Sequence, residues 1–235
     1  MSSRTGTPTN QARQRLSVAQ RVAGLYVIID PAAINGRDPS NVAEGALRGG
    51  ATCIQLRDKI HDKGDQLAIA RSLKALCENF NAIFIVNDHA DLAVASVSHG
   101  LHLGQRDLPA NEARFILRPH QIIGISNALL EEAKQSARIA DYIAVGAIYP
   151  SPSKKKTRPA GLTTLRKVRE RVSTVPIVAI GGITLNNVDE VLKAGADGIC
   201  VIGAVCQADN PEVAARTLTQ RISALQKKTY LGELQ

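Results

Sequence analysis

Between residues 25 and 202 of this 235-residue chain, short β-branched and apolar runs recur, separated by longer stretches whose apolar positions lie three and four apart. The short runs predict strands over 25–30, 53–56, 82–86, 101–103, 121–124, 142–145, 177–180 and 198–202. The longer stretches predict helices, as in the stripe Leu67, Ala70, Leu73, Leu76 and Cys77. A last helix is expected over 211–225, with Pro211 in its first turn. Strands that alternate with helices run parallel, because a parallel pair needs a long crossover between its members. Eight such units predict an α/β chain folded as a single (β/α)₈ TIM barrel over 23–228, preceded by a flexible tail over 1–22 and followed by a short tail over 229–235. An open doubly wound sheet would place Gly-x-Gly-x-x-Gly after the first strand, and none stands there.

Two segments, Gly49-Gly50-Ala51-Thr52-Cys53-Ile54 and Ala194-Gly195-Ala196-Asp197-Gly198-Ile199, end a helix with Gly and pass straight into a strand. Such turns belong to the face of a barrel that serves stability rather than chemistry.

Composition narrows the possible roles. Aromatics are only 3% of residues and Trp is absent, so the expected core is aliphatic. The same scarcity argues against nucleic acid as partner, since basic residues are not interleaved with rings for bases to stack on. The net charge of +8 suggests anionic partners, but the bulk charge does not distinguish nucleic acid, membrane or a phosphorylated metabolite. Arg4, Arg13, Arg15 and Arg21 lie in the polar N-terminal stretch and are expected to be solvated. No run reaches the roughly 20 apolar residues that span a bilayer, and no signal-peptide stretch is present, so a cytoplasmic location without membrane attachment is expected. Cys53, Cys77, Cys200 and Cys206 show no metal-ligand spacing and are expected to be buried small apolar groups.

In a barrel the chemistry sits just beyond the C-terminal ends of the strands. After the second strand, alternation puts Gln55, Arg57 and Lys59 on one side, where two cations and an amide suit a polyanion. Asn87-Asp88 follows the third strand, and His102-Leu103-Gly104-Gln105-Arg106-Asp107 ends the fourth. Asp88 and Asp107 on neighbouring strand ends can offer carboxylates to Mg²⁺, although each alone could cap a helix. His99 and His102 are expected to be packed or hydrogen-bonded core residues rather than catalysts. Gly124-Ile125-Ser126-Asn127 follows the fifth strand, and a loop over 150–161 with Ser151, Ser153 and Lys154 follows the sixth. Gly181-Gly182-Ile183 and Ile202-Gly203 follow the seventh and eighth strands, where barrels often hold phosphate through backbone N–H groups.

As a set, and in this order along about residues 23–226, these motifs resemble the thiamine phosphate synthase family. The resemblance implies transfer of an aminopyrimidine methyl group from its pyrophosphate to a thiazole phosphate, with Mg²⁺ on the departing pyrophosphate. It implies that Gln55, Arg57, Lys59 and Asn87 hold the pyrimidine pyrophosphate and that Asp88 and Asp107 hold the metal. Ser126 would lie near pyrimidine and pyrophosphate, and Lys154 on the pyrophosphate. Ser151 and Ser153 match two loop hydroxyls, and Gly182, Ile202 and Gly203 match the thiazole-phosphate cradle. The chain departs from the family pattern at Ser151 and Ser153, where Thr is usual, at Ala147, where Pro is usual, and at Gly203, where Ser is usual. Two other readings remain open: a thiazole tautomerase of the same fold, which would have little use for the Gln55, Arg57 and Lys59 cluster, and a binding barrel without turnover. A homo-oligomer is compatible with all three.

Overall fold

The computed structural model describes residues 10–150 and 158–232. Eight parallel strands close in chain order into a barrel, with β8 pairing back onto β1. They are β1 Leu25–Ile29, β2 Cys53–Leu56, β3 Ile83–Asn87, β4 Gly100–Leu103, β5 Ile122–Asn127, β6 Tyr142–Gly146, β7 Ile177–Ile180 and β8 Gly198–Val201. The helices are α1 Asn10–Gln20, α2 Pro39–Arg48, α3 Lys63–Asn79, α4 Ala90–Ala95, α5 Ala110–Ile116, α6 Leu130–Ser136, α7 Gly161–Arg171, α8 Val188–Lys193, α9 Gly203–Cys206 and α10 Pro211–Gly232. The predicted (β/α)₈ barrel is the observed one.

Alternation along the strands sorts the core into two layers. Val27, Ile29, Ile54, Leu56, Phe84 and Val86 face outward and pack under the helices. Tyr26, Ile28, Cys53, Ile83, Ile85 and Tyr142 face the barrel interior. β1 and β6 are not neighbours in the barrel, yet the Tyr26 and Tyr142 hydroxyls meet at 3.1 Å, which is possible only across that interior. The expectation of an aliphatic core holds for the outer layer, apart from Phe84, and for most of the interior, where Tyr26 and Tyr142 are the rings that depart from it. Tyr142 fits there because the interior position beside it, Gly124, carries no side chain. All four cysteines are buried and none forms a disulfide among the described residues, and burial pushes the thiols of Cys77 and Cys206 up to about 12.

The segment expected to be a flexible N-terminal tail differs from that expectation. From Asn10 it forms α1, and Ala19 and Val22, both fully buried, join the interior cluster from the N-terminal end of the barrel. These two, with the partly buried Val18, are too few among Gln and Arg to register as a periodic stripe. Arg15 and Arg21 are not simply solvated either. Arg15 pairs with Asp141 at 3.2 Å and donates to the Pro119 carbonyl at 2.9 Å, and Arg21 donates to the Asn81 carbonyl and side chain. At the other terminus α10 continues to Gly232, past the expected end at 225 and into the expected tail. The two helix-Gly-strand turns lie at the closed end, with Gly50 and Gly195 in the left-handed region.

His99 is a packed residue, as expected. Its Nδ1 accepts the Phe84 N–H at 2.9 Å, and burial, with Lys74 and Arg21 nearby, pushes the ring down to about 4. The unfolded ring titrates near about 6.5. The unfolded chain therefore binds more protons between those values, so this contribution is present above pH 6.5 and is lost as pH falls toward 4. Allowing for its partial exposure, we expect a loss on the order of 2 kcal/mol over that range. Asn at position 99 keeps an acceptor and does not titrate. Melting of His99→Asn should fall less steeply than wild type across the same pH range, and identical slopes would remove the assignment.

Candidate active site

The C-terminal strand ends surround a cavity of about 1120 Å³. Of the residues singled out in the sequence, Arg57, Asn87, Asp88, Asp107, Ser126, Gly182, Ile202 and Gly203 line it. Gln55 lies deeper, inside the barrel at 2% exposure, and its Nε2 donates to the Tyr26 hydroxyl at 2.6 Å. Its Oε1 is buried and has no partner among the described residues. Ser151, Ser153 and Lys154 lie outside the described residues.

β2 ends at Leu56, so strand alternation does not govern Lys59. Arg57 still follows Gln55 toward the interior side and is held there by Asp30, which accepts from its Nη1. Asp30 is 4% exposed and takes a second hydrogen bond from Ala32 N at 3.1 Å. This carboxylate fixes one edge of the guanidinium and leaves other donors for an anion. In the sequence Asp30 reads only as a strand end; its place beside Arg57 depends on pairing between β1 and β2, which spacing along the chain does not reveal.

Lys59 reaches the same mouth from the following loop and donates to Asp88 Oδ2 at 2.5 Å. Asp88 has φ +62, a left-handed conformation that Asp tolerates better than most residues and that often marks functional positions. Asp107 accepts from Gly104 N at 2.6 Å, which closes the turn after β4. Neither carboxylate caps a helix: α4 starts from His89 and α5 from Pro109, both without a side-chain cap. Instead the two carboxyls are close enough for each to shift the other's proton affinity. Burial pushes Asp88 up, but the Lys59 ammonium and the Asp107 carboxyl outweigh it and hold Asp88 below the usual range. Burial and the Asp88 carboxylate push Asp107 up. The pair is thus short of positive charge, and two oxygens of neighbouring acids suit a hard cation that takes its remaining ligands from water and phosphate.

β5 runs on to Asn127, three residues past its predicted end, because Ser126 and Asn127 pair with Ala144 and Val145 of β6. Their polarity had marked them as loop. Ser126 therefore points from a strand, and its Oγ lies 2.8 Å from His102 Nε2. His102 is buried, as expected, and also lines the cavity. The opposite rim is backbone. Gly181 and Gly182 have φ +105 and +61, and a Cβ on Gly182 would stand 2.5 Å from the Pro150 carbonyl. The Gly182 N–H has no partner among the described residues, and Gly203 opens α9 with its N–H outside the helical ladder. Arg158 also lines the mouth, held by both oxygens of Glu132, and was not anticipated.

Cations at one rim, carboxylates beside them and a glycine rim opposite define a barrel enzyme of small molecules. A family model for thiamine monophosphate synthase matches residues 25–205. The chain belongs to that family. It is 44% identical to the thiamine-phosphate synthase of Albidiferax ferrireducens over 86% of this chain and 92% of that one. Identity is 45% to the enzyme of Methanospirillum hungatei, over 82% of this chain and 93% of that one. Among solved structures, the thiamine phosphate pyrophosphorylase from Pyrococcus furiosus superimposes with a TM-score of 0.81 at 37% identity, over 88% of this chain and 98% of that one. The chain is accordingly a transferase of thiamine biosynthesis, and the tautomerase and binding-barrel readings are not favoured. Among the described residues no helix is long and apolar enough to cross a membrane.

Proposed function

We propose that the pocket joins an aminopyrimidine methyl pyrophosphate to a thiazole phosphate, releasing pyrophosphate and giving thiamine phosphate. The observation that carries this reading is the buried, unpartnered Gln55 Oε1 beneath a mouth that has cations on one rim and open backbone N–H groups on the other. The Oε1 suits the exocyclic amine of an aminopyrimidine, which places the ring in the depth and its pyrophosphate at Arg57, Lys59 and Asn87. Asp88 and Asp107 would hold Mg²⁺. When bound, the ion neutralises charge that grows on the pyrophosphate.

The methylene C–O bond breaks with its electrons going to pyrophosphate, which Arg57 and Lys59 stabilise as it leaves. The thiazole nitrogen lone pair then forms the C–N bond. Gly182, Ile202 and Gly203 hold the thiazole phosphate so that this nitrogen faces the methylene carbon, and that orientation supplies much of the acceleration. No general base is needed for bond formation. Ser for Thr at 151 and 153 keeps the hydroxyls, and Gly at 203 keeps the backbone N–H that a phosphate requires.

Incubating the purified protein with Mg²⁺ and both substrates should yield thiamine phosphate and pyrophosphate in equal amounts; folded protein that gives neither overturns the proposal. Among the residues over 151–157, Lys154→Ala should lower turnover by about 10²-fold, the loss typical of one donor to a developing anion, and Lys155→Ala should do little. Steady-state rates of the two variants check this, and equal losses would remove the distinction.

A further inference from the structure

Below the cavity floor, five side chains from five strands or strand ends form one continuous hydrogen-bonded chain. Gln55 Nε2 lies 2.6 Å from the Tyr26 hydroxyl, which lies 3.1 Å from the Tyr142 hydroxyl. That hydroxyl lies 2.9 Å from His102 Nδ1, and His102 Nε2 lies 2.8 Å from Ser126 Oγ. Every intermediate member is buried: Tyr26 is 1% exposed, Tyr142 0% and His102 8%. Burial pushes both phenols far above their usual range, so each keeps its proton to donate. The Tyr142 ring lies against both neighbours, with centroids 6.3 Å from Tyr26 and 5.6 Å from His102.

One end of the chain fixes the direction of the rest. An amide nitrogen only donates, so Tyr26 oxygen accepts from Gln55 and its own proton goes on to Tyr142. Tyr142 then donates to His102 Nδ1, which therefore carries no proton, and the ring proton sits on Nε2. Nε2–H donates to Ser126 Oγ. The Ser126 hydroxyl proton is left to point elsewhere, and Ser126 lines the cavity. Turning the Gln55 amide over would reverse every link, leaving Ser126 donating to His102 and only its lone pairs for the cavity.

We propose that Tyr26, Tyr142 and His102 are positioning residues that couple Gln55 to Ser126, so that the amide presents its oxygen and the serine its proton to the same bound substrate. The proposal rests on the pyrimidine pyrophosphate reading for its kinetic consequence, but not for its direction of hydrogen bonding. Burying two phenols and an imidazole in a barrel interior costs desolvation that aliphatic residues would avoid. Fully paired polar chains of this kind hold their members in single orientations.

The direction is read without substrate. Nitrogen-15 shifts of the His102 ring in the full chain should show the Nε2–H tautomer, and Tyr142→Phe should abolish that preference while the protein remains folded. A ring protonated at Nδ1 in wild type overturns the direction, whatever the protein catalyses. The coupling is read in turnover with both substrates and Mg²⁺. His102→Leu and Ser126→Ala should each lower kcat by about 10- to 100-fold with KM for the pyrimidine pyrophosphate changed much less. The double variant should be no slower than the slower single one, because the two act as a unit. His102→Gln, whose amide nitrogen can stand where Nε2 stood, should recover most of the loss. Additive losses, or equal losses for Leu and Gln at 102, overturn the coupling. Absence of turnover by wild type would overturn the substrate reading and leave the tautomer result to judge the chain.

Discussion

Asp88→Asn is expected to reduce turnover by about 10²–10³-fold, as for loss of one group that stabilises a developing anion, with little change in the melting midpoint. The fold should survive because Asn tolerates the left-handed backbone at this position as well as Asp does, and φ here is +62. Lys59 would keep an oxygen to bind but lose its ionic partner at 2.5 Å. The charge of this carboxylate would also be lost, and with it half of the acidic pair proposed to draw in Mg²⁺. The deficit should therefore shrink as Mg²⁺ rises, whereas wild type saturates at lower metal. Steady-state rates across a Mg²⁺ series, beside a melting curve, provide the check. Unchanged turnover at limiting Mg²⁺ would count against both carboxylates as ligands.

The second large effect concerns stability. A Cβ built on Gly124 would stand 2.0 Å from Tyr142 Cζ, in a barrel interior where that ring is fully buried. Close-packed interiors cannot absorb such a clash by small adjustments. Gly124→Ala should cost about 3 kcal/mol, at the upper end of ordinary overpacking. Urea denaturation measures the loss. Shrinking the opposing ring should return part of it, so Gly124→Ala with Tyr142→Leu is expected to be more stable than Gly124→Ala alone. A double variant less stable than either single one would show that the ring is not what the new methyl meets.

Gly124 also shows where sequence reading reached its limit. Strand existence and order were legible because each run had the right length and the right flanking helix, and pairing in chain order then followed from the barrel. Strand ends were less legible. Ser126 and Asn127 look like loop residues, yet they extend β5 because β6 supplies backbone partners and Ser136 Oγ binds the Asn127 side chain at 2.7 Å. Along the chain, each site residue could be placed after its strand, but not beside its partner. The Asp30 carboxylate under Arg57 and the two tyrosines under Ser126 come from β1 and β6, and only closure of the sheet brings them there. The α1 segment was missed for a related reason. Its stability comes from plugging an existing opening rather than from an apolar face of its own.

That plug gives the barrel a direction of traffic. Ala19 and Val22 fill the N-terminal end, and the Val22 carbonyl comes so near Gly198 that a Cβ there would meet it at 2.3 Å. A vessel stoppered below is entered from above. Under the proposed reading, a pyrimidine seated against Gln55 would pass the Gly182 rim on its way in, and a thiazole phosphate already settled there would stand in its path. A helix at the far end of the barrel from the chemistry would in that way bias the order in which the two substrates enter.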